Sequence, residues 1–179
     1  SITNLVSIQN TLKTHKTNII AVSKTFPVSE ILPLVNRQHV HFGENKVQEA
    51  VEKWPKIKQD YKDIKLHMIG RLQTNKVKFA IPLFDYIHSL DSLKLAKKIY
   101  EEQNKIKKSL KIFIQVNIGN EDQKSGINEE YLEEFYNKWN YEPDEQSVET
   151  HQKAMGNPGD SQKDLDTFCK QYGYKILES

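Results

Sequence analysis

Five short apolar runs alternate with helix-patterned segments along this chain, and that alternation limits the folds open to it. The runs lie at residues 19–22, 40–42, 66–69, 86–88 and 111–117. Each is short and apolar enough to be a strand buried on both faces. Between them, apolar residues recur at helical spacing. Helices are predicted from about Thr3 to His15, with Leu5, Ile8 and Leu12 on one stripe, and from Ser29, as N-cap, through Val35. A third runs from Asn45 to Lys53 and closes before Pro55, a fourth from Thr74 through Ala80, and a fifth from Ser92 to about Lys107. Parallel strands need crossovers of this kind, so the pattern predicts an α/β fold, a TIM-type barrel with right-handed connections. No segment repeats another in sequence.

The barrel is expected to be incomplete. A full eightfold barrel takes about 250 residues, whereas this chain has 179, and its alternation stops near residue 131. Residues 140–147 and 156–161 are polar and turn-rich, and no sixth strand is predicted beyond them. The reading is therefore a partial α/β barrel at residues 1–130 and an acidic tail at 131–179, weakly structured or helical around 129–139 and 162–172. Residues 1–130 carry 21 Lys+Arg against 14 Asp+Glu, and residues 131–179 carry 5 against 10. The basic excess lies on helix faces among glutamates, with few aromatics between, which reads as a solvated face and not a nucleic-acid surface. A single cysteine, Cys169, excludes an internal disulfide framework and reads as a half-buried small hydrophobe. No window approaches the apolar length of a membrane span. A cytoplasmic monomer that binds neither nucleic acid nor membrane is the expectation.

Chemistry is expected where strands end, because that is the active mouth of a barrel. The first strand ends on Lys24. Desolvated there, its amine becomes a nucleophile able to form a Schiff base with an aldehyde. Taken alone, a lysine in this position is more often a solvated surface residue. The histidines offer a competing idea: His39 and His41 flank Val40, while His67 and His88 lie near the ends of neighbouring strands. A metal-dependent barrel hydrolase can be built from such a set, with zinc activating water, yet no Asp or Glu stands in a clear fourth-ligand position.

The ordered motifs are specific. Ala21-Val22-Ser23-Lys24-Thr25 is followed by Phe42-Gly43-Glu44-Asn45-Lys46-Val47-Gln48-Glu49 and by His67-Met68-Ile69-Gly70-Arg71-Leu72-Gln73-Thr74-Asn75-Lys76. Ile87-His88-Ser89-Leu90-Asp91, Gln115-Val116-Asn117-Ile118 and Lys124-Ser125-Gly126 complete the series. Together they resemble the pyridoxal phosphate homeostasis protein family, whose fold is the alanine-racemase-like N-terminal barrel. The resemblance covers about residues 4–130.

That resemblance implies a pyridoxal 5'-phosphate-binding protein of cofactor homeostasis, holding the cofactor as a Schiff base on Lys24, with apo-enzymes as possible recipients. Asn45 matches the family asparagine close to the cofactor; without the family it reads as a plain N-cap of the third helix. Lys46 departs from the aromatic that family chains often carry. Gly43 and Gly70 are expected to let the backbone turn at strand ends. The family's later strands, including the one that grips the phosphate, have no match here, so the chain reads as truncated or diverged. Gly156-Asn157-Pro158-Gly159-Asp160-Ser161 is only superficially a phosphate loop, since no strand precedes it and Asp160 repels an anion. A racemase is not expected, because no second acid/base group faces Lys24 and no β-rich partner domain is present. The alternatives are the hydrolase built on His39 and His41, or a non-functional product of a disrupted gene.

Overall fold

The computed structural model describes residues 2–12, 17–118, 125–133 and 135. Helix α1 (Ile2–Thr11) leads to strand β1 (Ala21–Val22), α2 (Val28–Val35), β2 (His41–Glu44), α3 (Val47–Asp60) and β3 (Lys65–Met68). A 3-10 turn (Thr74–Lys76) then precedes α4 (Val77–Leu83), β4 (Tyr86–Leu90), α5 (Leu93–Ile106) and β5 (Lys111–Ile114). Two short strands, β6 (Val116–Asn117) and β7 (Ile127–Asn128), form a separate parallel pair before a second 3-10 turn (Glu129–Tyr131).

Strands β1 to β5 make one parallel sheet in the order of the chain, with no strand out of sequence. A doubly wound sheet reverses its order at a switch point; an unreversed order is the winding of a barrel wall. The outer face of that wall carries Phe42, Leu66, Met68 and Ile87, all buried against Ala50, Trp54, Val77, Ala80, Leu95 and Ile99 of the helices. By the twofold alternation of strands, His41, Gly43, His67, Tyr86 and His88 line the opposite, inner face.

Most predicted elements are present with shifted ends. Helix α3 does not stop before Pro55 but runs through it to Asp60. Proline inside a helix costs about 3 kcal/mol, yet Trp54 and Ile57 continue the buried stripe begun by Val47 and Ala50. Burying two large apolar side chains contributes about 1.5–3 kcal/mol each, which outweighs that cost. Pro33 and Pro82 also sit inside helices, near the ends of α2 and α4. Ser92 caps α5 as expected, its hydroxyl accepting from Leu95 N at 3.4 Å. The long fifth run breaks at Gln115: β5 stays in the main sheet, while β6 pairs with β7. The first run forms ladder pairs only at Ala21 and Val22, and Val22 is 47% exposed. Phe135, past the boundary drawn at residue 130, is buried in the core. The predicted helix at 162–172, Cys169 and the turn at 156–161 lie outside the described residues.

Candidate functional site

Lys24 stands just past β1, at the end of the sheet where parallel strands finish. It is exposed, so the desolvation expected from the sequence is not supplied by the described residues. What the structure supplies instead is a fixed backbone on either side of it. Ser23 N donates to Gly43 O at 2.9 Å, extending the β1–β2 ladder by one step. Ser23 Oγ donates to Glu44 Oε1 at 2.8 Å. Lys53 Nζ donates to Ser23 O at 3.0 Å. On the other side, Thr25 N donates to Glu49 Oε1 at 2.7 Å, and Phe26 N closes a turn onto Ser23 O at 3.2 Å.

Behind this turn lies a buried charge cluster that the sequence reading missed. Glu44 is fully buried, and its Oε1 accepts from Ser23 Oγ, from Lys53 Nζ at 3.0 Å and from Trp54 Nε1 at 2.9 Å. Lys53 also pairs with Glu49 at 3.0 Å. Its ammonium, bonded to Glu49, holds that carboxyl below the usual carboxylate range. A signal was available: Glu49 and Lys53 stand at i and i+4 on a helix, the spacing of an ion pair. Glu44, by contrast, ends an apolar run and reads as the solvated end of a strand.

Asn45 follows β2 directly and is not a helix cap. Helix α3 begins two residues later, with Lys46 at the cap position and no side-chain cap bond. Asn45 Oδ1 is buried without a hydrogen-bond partner among the described residues. A buried amide oxygen in that state has its lone pairs unused, which is costly unless a donor reaches it. Gly70 makes the arrangement possible through close approach, not through a turn. A Cβ there would fall 2.4 Å from Asn45 O and 2.8 Å from Asn45 Cα. Gly43 likewise lets Ile20 and Ile69 close over the inner face, where a Cβ would meet both at 3.1 Å.

The histidines form a chain, not a metal set. His41 Nδ1 lies 2.9 Å from His67 Nε2, and His67 Nδ1 lies 2.9 Å from His88 Nε2. Ring stacking of His67 on Tyr86 (4.1 Å) and of His88 on Phe113 (4.5 Å) fixes the row. His39 precedes β2, donates from Nε2 to His41 O at 2.8 Å and packs edge-on against Phe42. The structure therefore does not bring His39 and His41 together as a ligand pair. No group of three or more metal-ligating side chains occurs among the described residues. Burial pushes all four imidazoles below their ordinary value; in His67, with His88 and His41 beside it, the pKa falls to about 3.

The residues present fit an aldehyde-bearing aromatic cofactor at one end. They offer an accessible amine at Lys24 and an unpaired buried oxygen at Asn45. No phosphate-gripping strand of the kind the resemblance implies occurs among the described residues. No described helix is long and apolar enough to cross a membrane.

Comparison with known proteins bears directly on this geometry. The family model described as alanine racemase, N-terminal domain, matches residues 2–173. The pyridoxal phosphate homeostasis protein of Pasteurella multocida is 43% identical over 109 residues, covering 61% of this chain and 47% of the relative. That of Haemophilus influenzae is 40% identical over 124 residues, covering 69% and 50%. The chain thus spans about half the length of the curated relatives it matches. Among solved structures, PipY of Synechococcus elongatus with PLP bound superposes with a TM-score of 0.66 at 30% identity, over 75% of this chain and 61% of that one. PipY without PLP gives 0.69 at 33% identity, over 75% and 62%.

Proposed function

Because the chain belongs to the alanine racemase N-terminal domain family, we propose that it binds pyridoxal 5'-phosphate covalently through the Nζ amine of Lys24 and serves in cofactor homeostasis. The observation that carries this reading is an accessible lysine, flanked by a pinned backbone, at the carboxyl end of a parallel sheet. When bound, the cofactor supplies an aldehyde that condenses with a primary amine and releases water. Lys24 would present the amine, Asn45 Oδ1, which has no partner among the described residues, would accept a hydrogen bond from the bound group, and Gly70 keeps Asn45 close to the end of β3. The relatives named pyridoxal phosphate homeostasis protein and the PLP-bound PipY support the same ligand. The finer role is a carrier or buffer that passes cofactor to apo-enzymes, not a catalyst with its own substrate. In support, the relatives it matches carry the name of a homeostasis protein and not of an enzyme.

Incubation with pyridoxal 5'-phosphate should give a visible absorbance band, and borohydride should fix the label on the peptide carrying Lys24. Lys24→Ala should lose both. Lys24→Arg should lose them too, since a guanidinium stays protonated and forms no such linkage. A label mapped elsewhere, or undiminished binding by Lys24→Ala, overturns the reading.

A further inference from the structure

We propose that Glu49 and Lys53 of α3, seated on the buried carboxylate of Glu44, are positioning residues for Lys24. This inference rests on Lys24 being the cofactor lysine. The three hydrogen bonds of the Lys53 ammonium go to Ser23 O, Glu44 Oε1 and Glu49 Oε1, each at 3.0 Å. One of these acceptors is the residue before Lys24, and another, Glu49 Oε1, also holds the N–H of the residue after it. The pair therefore grips the chain on both sides of Lys24 while leaving Lys24 itself exposed.

Backbone geometry argues for a function in this grip. Thr25 has φ +66°, in the left-handed region. A β-branched residue there is a genuine outlier, and such strain persists only where the surroundings enforce it, commonly beside a functional group. Here the enforcing contacts are Thr25 N to Glu49 and Lys53 to Ser23 O. Stability alone is a poor account of the cluster, because buried ion pairs contribute little net stability compared with apolar packing. A site whose reacting group is held in one orientation gains rate by avoiding the search for it. The clamp fixes the Cα–Cβ direction of Lys24 and so narrows the space that its amine has to search.

Glu49 is half-buried, so its variants leave the fold in place. The probe is pyridoxal 5'-phosphate, and the readouts are the rate of borohydride-fixed labelling of Lys24 and, without ligand, amide hydrogen exchange at Lys24 and Thr25. Glu49→Ala should slow labelling about tenfold, the equivalent of one charge-assisted hydrogen bond, and speed exchange at Thr25. Exchange in β2 and β3 should be unchanged. Glu49→Gln keeps an acceptor for Thr25 N and should recover most of the labelling rate. Labelling of Lys24 at an unaltered rate in Glu49→Ala overturns the clamp and leaves the cofactor lysine standing. A wild-type label away from Lys24 overturns the cofactor reading instead. The ligand-free exchange still judges the clamp in that event: unchanged protection of Thr25 in Glu49→Ala rejects it.

Discussion

Gly70 shows how little freedom single positions have around the proposed site. Any side chain there would place its Cβ 2.4 Å from Asn45 O, well inside van der Waals contact. The obstacle is backbone, so no rotamer change relieves it. Gly70→Ala should destabilise the protein by about 1–3 kcal/mol, the usual cost of overpacking, and should also displace Asn45. Denaturant unfolding measures the first effect, and a weaker hold on pyridoxal 5'-phosphate reports the second; a variant matching the wild type in both would mean that Asn45 and Gly70 are not packed this way. Lys24, Asn45 and Gly70 are all legible in the sequence, because each stands inside an ordered motif. What Gly70 does was not legible, since a glycine after a strand reads as a turn and only the neighbouring strand reveals the close approach. Glu44 was hidden for a related reason. Its burial depends on Lys53 and Trp54 arriving from the next helix, and nothing local in Phe42-Gly43-Glu44 announces them.

Strands β2, β3 and β4 are stitched on their inner face by the imidazoles of His41, His67 and His88. Two N···N contacts between three rings are met by three neutral rings that each donate in the same sense, or by a cationic His67 that donates to both neighbours. Two adjacent imidazoliums would set N–H against N–H. Burial decides between these states: desolvation disfavours the charged ring and lowers the pKa of all three. The sign follows: the folded pKa of His67, about 3, lies below its ordinary 6.5, so the unfolded chain binds the proton first. The stabilisation is complete above pH 6.5 and is lost progressively as pH falls toward 3. The slope for one such ring is about 1.4 kcal/mol per pH unit. Urea unfolding between pH 5.5 and 4.5 should show it, and His67→Phe, which keeps the stack on Tyr86, should reduce the slope by about that amount. An identical slope in the variant would mean that His67 is protonated in the folded protein. The elements themselves were largely readable, because strands buried on both faces and amphipathic helices carry strong patterns. The miss at Pro55 has a physical reason: the local rule against proline lost to the burial of Trp54 and Ile57.

The sheet as a whole is unevenly held. Strands β2, β3 and β4 each have a neighbour on both sides, and Phe42, Leu66 and Ile87 beneath them are fully buried. Among the described residues strand β1 is an edge, tied to β2 through two residue pairs, Ala21 with Phe42 and Val22 with Gly43. Edge strands with few ladder bonds open at a small fraction of the global unfolding free energy. Lys24 thus follows the least secured strand of the sheet, and the clamp from α3 compensates where strand pairing does not. Ligand attached at Lys24 stabilises the states that bind it and not those in which β1 has peeled away. Native-state hydrogen exchange should therefore show β1 and Ser23 opening well before β2 to β4 in the ligand-free protein. Saturating pyridoxal 5'-phosphate should slow exchange most in β1 and at Thr25, with a smaller change in β3 and β4. Uniform slowing across all five strands would mean that β1 opens only with global unfolding, and that the site is as rigid as the core it stands on.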